Sequence, residues 1–297
     1  MLFHCTATSP AWSALRKRVG AIRGTAFVVL ALGVTGCTNK AALSEQRAEA
    51  HVEYLARLTP QDVAEVRAGL PLGTAHLELL WEEGKNPQDD PQASQVALER
   101  ARGKVQDLRI AKSTFFAVTL LDGTALRSDQ EQDTVVGKKL FEAFPGLKVA
   151  SSSGYAETTG TLHELRGVEG KPDGQWAASA AVKHQGRTVG HYVTGWSWAL
   201  YARRLHVALD GRLYEEEVGK KPLVYVFVIV GNQAFGRREA PQINADEIVK
   251  LDPLANTAGE AVFRAQLEIA GREFGLAAKR TPVLGDDVMV AVLRSEI

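Results

Sequence analysis

Cysteine is nearly absent: Cys5 and Cys37 are the two in 297 residues, so a disulfide framework is excluded. Neither sign of charge is in excess. Thirty-five basic residues stand against thirty-five acidic ones, and no basic balance points to nucleic acid. Apolar runs are short. The stretch Thr25 to Val34 is about half of what a membrane-spanning helix needs, and Leu223 to Val230 reads as a strand. Local catalytic and metal signatures are missing too: His-Glu-x-x-His, Cys-x-x-Cys, Gly-x-Ser-x-Gly, Ser-x-x-Lys and the phosphate-cradling Gly-Lys-Ser/Thr do not occur. The expectation is a protein that is not an enzyme and carries no cofactor and no metal. What is present is a globular composition, 45% apolar and 24% charged, which excludes disordered, collagenous and low-complexity classes. The length allows one large domain or two ordinary ones.

The first forty residues are organised. Arg16, Lys17, Arg18 and Arg23 are the charged residues of 1–36, and no acid accompanies them. A short apolar run and then small residues follow, the order of a secretory signal peptide. Val34-Thr35-Gly36-Cys37 resembles the bacterial lipobox, in which an aliphatic residue and two small ones precede a cysteine. The resemblance implies cleavage before Cys37, acylation of its thiol and new amino group, and anchoring to a membrane by lipid. Thr38 after the cysteine is not the aspartate that retains lipoproteins at the inner membrane, so the outer membrane is expected. Without its leader the chain is mildly acidic, near −4. Acyl chains would then hold it, at about 0.8 kcal/mol per buried methylene.

Four regions are expected: a leader over 1–36, a helical part over 37–91, a first unit over 92–195, and a linker helix with a second unit over 196–297. In the helical part Leu43, Ala50, Tyr54 and Leu58 lie near one face. Thr59-Pro60-Gln61-Asp62 reads as a helix start with Thr59 as N-cap. A shorter helical piece spans Ala75 to Trp81, and 84–91 is a loop. Leu98, Ala101, Val105 and Leu108 predict a helix over 94–111. It feeds the strand Thr114 to Leu121, the turn Asp122-Gly123 and a returning strand from Ala125. Val135 to Phe144 looks helical and stops at Pro145-Gly146. Strands over 155–165 and 176–182 flank the turn Gly170 to Gly174, and Gln185-Gly186 turns back into 188–194. The order then recurs. A helix over 198–217 leads to Leu223–Val230, the turn Gly231-Asn232, a helical stretch over 244–251, and strands over 262–269, 274–279 and 288–293.

Phe116-Ala-Val-Thr-Leu-Leu-Asp-Gly parallels Phe227-Val-Ile-Val-Gly-Asn, and Gln185-Gly-Arg-Thr-Val-Gly190 parallels Ala270-Gly-Arg-Glu-Phe-Gly275. Divergent duplication and chance similarity of Gly-turn hairpins both stand. A helix feeding an antiparallel sheet, with helices between its second and third strands, is the PAS-like order. The segment Leu121-Asp-Gly-Thr-Ala-Leu-Arg-Ser-Asp129, followed by Gly137-Lys-Lys-Leu-Phe141, is similar to the early strands and helix of Cache and PAS sensors. The resemblance implies an α+β fold: N-terminal helices, then two PAS-like antiparallel sheets with flanking helices, a double Cache-like arrangement. It also implies a small-molecule binding or sensory module that acts through a membrane signalling or envelope protein. A structural lipoprotein that scaffolds an envelope complex is the alternative.

Tyr155, Trp176, Tyr192, Trp196 and Trp198 fall within 44 residues. On a PAS-like sheet such rings either wall a pocket or pack a strand against a helix. Tyr155, Trp176, Tyr192 and Trp196 are the candidate ligand contacts, which places the expected pocket in the first unit. Arg127 and Asp129 could supply its polar contacts, or form a surface ion pair. His184 and His191 lie seven apart and read as solvated or hydrogen-bonded strand histidines rather than metal ligands.

Overall fold

Proline marks the middle of the first long helix without ending it. The structure, a computed structural model, describes residues 40–296 apart from 83–84, 86, 112, 164–171 and 217–221. The leader, Cys37, Gly170 and Lys171 of the expected turn, and Glu217 lie outside the described residues; Pro172 to Gly174, expected in that turn, are strand instead. Helix α1 (Lys40–Leu77) contains both Pro60 and Pro71, so the start expected at Thr59 is corrected to a continuous helix. An internal proline costs about 3 kcal/mol. Val52, Leu55, Val63, Val66 and Leu70 are fully buried along α1, each contributing about 1.5–3 kcal/mol, and this outweighs the cost. Thr59 is no cap: its hydroxyl donates back to the Leu55 carbonyl at 3.2 Å.

The buried face of the first turns also differs from the expected one. Ala41, Ser44, Ala48, His51 and Val52 are buried, whereas Ala50 is exposed and Leu43, Tyr54 and Leu58 are half-buried. The cause is close approach. A Cβ on Gly275 of the second sheet would overlap the Glu45 backbone, so small residues face the sheet there. After a 3₁₀ turn (Glu78–Trp81), α2 (Pro91–Lys104) and α3 (Gln106–Ile110) replace the single helix expected over 94–111. Val105 between them is extended. Its side chain is buried with those of Leu98, Ala101 and Leu108, which keeps the expected stripe together.

The first sheet contains β1 (Phe115–Thr119), β2 (Ala125–Ser128), β3 (Tyr155–His163), β4 (Pro172–His184) and β5 (Arg187–Ser197), in the order β2-β1-β5-β4-β3. All pairs are antiparallel. The stretch expected to be helical over 135–144 is helical only in α4 (Leu140–Ala143). It continues past Pro145 as a 3₁₀ turn (Pro145–Val149) and α5 (Ala150–Ser153). Residues 138–140 instead bond back to the β1–β2 hairpin, where Ala125 N donates to Lys138 O and Leu140 N to Gly123 O, both at 2.9 Å.

Helix α6 (Trp198–Glu216) leads into the second sheet. This holds β6 (Leu223–Val230), β7 (Gln233–Gly236), β8 (Val262–Ile269), β9 (Arg272–Arg280) and β10 (Val288–Ser295), with α7 (Gln242–Lys250) between β7 and β8. Its order, β7-β6-β10-β9-β8, repeats that of the first sheet. The fold class is therefore α+β, with two five-stranded antiparallel sheets, flanking helices and a long N-terminal helix. The repeat corrects one sequence parallel. Phe116 and Phe227 do sit in corresponding hairpins. The Gln185-Gly186 turn joins β4 to β5, however, while Ala270-Gly271 joins β8 to β9, whose counterpart is the β3–β4 connection. The two turns share a geometry instead, with positive φ at both central residues: 49° and 77°, then 52° and 75°.

Strand alternation sorts the cores. Phe116, Val118, Val226, Val228, Val290 and Val292 face the side on which α1 lies, and one apolar cluster joins both sheets there. On the opposite faces, Phe115, Ala117 and Val193 pack against Phe141, Phe144 and Leu147, while Phe227, Ile229 and Met289 pack against Ala245 and Ile248.

Candidate functional site

Position along β4 and β5 decides where the aromatic residues go. Trp176 and Trp196 pair directly across the two strands. Their rings stack at 4.4 Å between centroids, and Tyr201 of α6 stacks on Trp196 at 4.9 Å with 9° between planes. Trp176, Tyr192, Trp196, Trp198 and Tyr201 are all fully buried, in the cluster formed with α1. They do not face the α4–α5 excursion. Parity is the reason: even-numbered positions of β4 and β5 point to α1, whereas Ala177 and Val193 point to the excursion. Of the two readings of these rings, packing describes Trp176, Tyr192 and Trp196. Tyr155 lies at the border of the same cluster and donates its hydroxyl to Glu157 at 2.8 Å. Burial first, and then Glu157, hold that phenol well above its usual range.

The ladder ends on a buried polar group. Tyr201 donates its hydroxyl to Asp62 of α1 at 3.2 Å, and Arg204 bonds the same carboxylate at 3.0 Å. A stacked series thus runs from β4 through β5 and α6 to the middle of α1, two residues beyond Pro60.

Arg127 and Asp129 on and after β2 are engaged in tying α2 to the sheet. Arg127 donates to Gln95 at 3.0 Å and lies 3.4 Å from Asp133. Asp129 accepts from the Phe116 amide at 2.8 Å and pairs with Arg102. Burial raises the Asp129 carboxyl, opposed by the Phe116 amide and by Arg102. These are internal ion pairs rather than groups turned toward a cavity. His184 and His191 stand apart: His184 is 3.4 Å from Glu78, and buried His191 is 2.9 Å from the Ser151 hydroxyl. Burial lowers the His191 pKa.

An open cleft of about 1010 Å³ lies elsewhere, at the junction of the two sheets. Asp173 and Ser197, from the outer ends of β4 and β5, form one side. Leu200 and Arg203 of α6 form a second, and the β7–α7 segment 234–249 closes it against Phe227 of β6. Ser197 begins α6, with its hydroxyl accepting from the Leu200 amide at 3.2 Å. Asp173 is almost fully buried and accepts from Gln175 at 3.2 Å. Burial pushes its carboxyl up to about 6, against the lowering hydrogen bonds from Gln175 and Ser197. Arg237 presents a buried Nε that makes no hydrogen bond among the described residues. Its charge, after burial, lowers the pKa of nearby His206.

None of the six residues singled out from the sequence lines this cleft. Its residues come from four separated segments. Asp173 read as a turn residue, and β7 was not expected at all. A usable pointer existed in Gly231-Asn232, a hairpin turn that requires a returning strand at 233–236.

No protein-family model and no curated protein matches the chain. Solved structures do. The extracellular domain of vpHK1S-Z8, described as a histidine kinase, superposes with a TM-score of 0.57 at 7% identity, over 86% of this chain and 92% of that one. A domain from Vibrio parahaemolyticus, described as of a sensory box/GGDEF family protein, gives a TM-score of 0.51 at 10% identity, over 87% and 98%. At these identities the likeness is one of fold. Among the described residues, no helix is long and apolar enough to cross a membrane.

Proposed function

We propose that the protein is a lipid-anchored sensory module of the cell envelope, most consistent with the outer membrane, that binds a small molecule without turning it over and acts through a membrane signalling or envelope protein. The observation that carries this reading is the architecture. Two five-stranded sheets on one long helix are shared almost end to end with the extracellular domain of a protein described as a histidine kinase. The leader and Val34-Thr-Gly-Cys37 support the anchor, with the four regions 1–36, 37–91, 92–195 and 196–297 as its parts.

The geometry supplies a route for a response. The cleft joins the ends of β4 and β5 to β7 and α7, so an occupant would bridge the two sheets. Helix α6 borders that cleft and is tied to α1 through Asp62. Helix α1 runs back toward Cys37, and its first turns are fastened to the end of the second sheet, where Glu296 bonds Ser44 and Arg47. A change in cleft occupancy that moved α6 would therefore be felt along α1.

Equilibrium dialysis of the protein, purified from membranes in detergent, against a pool of small metabolites tests the reading. One or a few compounds retained at no more than one per chain, and returned unaltered, is the expected result. A chain that retains none but co-purifies stoichiometrically with an envelope protein would establish the scaffold alternative instead.

A further inference from the structure

We infer that the junction cleft is an anion site, built for a small organic carboxylate with an apolar body. The inference rests on the sensory reading above and names the ligand class. Arg203, Arg237 and Arg238 all line the cleft. The side chains of Arg203 and Arg238 make no hydrogen bond or ion pair among the described residues. Among the described residues the Arg237 guanidinium has one acid near it, Glu239 at 3.9 Å, and its buried Nε has no hydrogen-bond partner. Three arginines therefore line one cleft, and among the described residues none of their side chains is hydrogen-bonded to a carboxylate. Guanidinium groups left in this state recognise carboxylates through paired N–H donors.

Two of the acids that share the cleft accept hydrogen bonds from neighbouring glutamine amides. Asp246 accepts from Gln242 at 2.9 Å, and Asp173 accepts from Gln175. Glu239, 68% exposed, lies 3.9 Å from Arg237. The amino end of α6, nineteen residues long, opens on the same space and adds the positive end of its dipole. The cleft also has an apolar part: Phe227, Phe235, Ala245 and Val249. A lining that combines arginines with aromatic and aliphatic side chains fits a molecule with an anionic head and a short apolar body.

Calorimetric titration of the whole protein with phenylacetate, 2-phenylethylamine and inorganic phosphate tests this. The two organic probes share a ring and differ in the sign of the head. Phenylacetate should bind, the amine should not, and phosphate should bind more weakly than phenylacetate. Arg237→Gln should weaken phenylacetate roughly ten- to a hundredfold. Arg203→Gln, at an exposed helix position where folding is not at stake, should weaken it in the same direction. Equal binding of acid and amine, or full affinity in both variants, would overturn the assignment. If dialysis retains a metabolite whose affinity survives both variants, the sensory reading stands and the cleft assignment falls. If dialysis retains nothing and phenylacetate does not bind, both fall.

Discussion

Trp176 shows how much a single side chain can be asked to do. Its indole is fully buried and stacked on Trp196 of β5. Truncation to alanine should cost about 3–5 kcal/mol, as for other buried tryptophans, and should lower the urea midpoint accordingly. A Trp176→Ala protein of near wild-type stability would mean that the ring wall is dispensable packing and free to serve a ligand. Asp173 gives a pH dependence. Burial raises its carboxyl to about 6, above the ordinary carboxylate value. Between about pH 4 and 6 the folded protein keeps a proton that the unfolded chain has released, so this group's contribution falls as pH rises through that window and stays low above it. Asp173→Asn removes the slope. The variant should gain on the wild type between pH 4 and 7, by at most about 3 kcal/mol. Urea unfolding at both pH values reads the gain, and parallel pH profiles for the two proteins would contradict it.

At the scale of elements, two helical glycines separate packing from propensity. Gly73 of α1 lies where a Cβ would stand 2.6 Å from the Tyr192 ring and 2.8 Å from Leu108, whereas Gly211 of α6 has open space around it. Alanine improves helix propensity at either position by about 0.5–1 kcal/mol. At Gly211 that gain should appear in full as a higher melting temperature. At Gly73 overpacking of about 1–3 kcal/mol should reverse the sign. Two changes of the same sign would refute the close α1–sheet contact.

The same contrast explains what was legible in the sequence. Leu223–Val230 and Val262–Ile269 were readable to the residue, because a run rich in β-branched residues and a clean alternation are local properties. The strand Gln233–Gly236 lacks any β-branched residue and is defined by its pairing to β6, so its own residues carry little signal beyond the turn that precedes it. Pro60 suggested a break because propensity is local, while the burial that overrides it comes from two sheets distant in sequence. The aromatic group was visible as a group. Which sheet face it occupied was not, since parity relative to α1 is fixed only once the sheets are assembled. The cleft was hidden for a related reason: Asp173, Ser197, Arg203 and Arg237 acquire a common purpose only through topology.

At the scale of the whole molecule, α1 is the organising part. At 1.5 Å per residue its 38 residues extend about 57 Å, enough to lie along both sheets. Its first turn begins three residues after Cys37 in the sequence, the cysteine that the proposed anchor would acylate. Cys37→Ser should move the protein from the membrane to the soluble fraction and abolish acyl labelling. Membrane association and labelling that survive the change would refute the anchor. The central claim, that this architecture serves to sense a small molecule, is tested most directly by the thermal stability of the whole protein as a dialysis-retained compound is titrated in. The account predicts a rise that follows ligand concentration and reaches about 2.7 kcal/mol at a hundred times the dissociation constant. A melting temperature that stays constant across that range would contradict it.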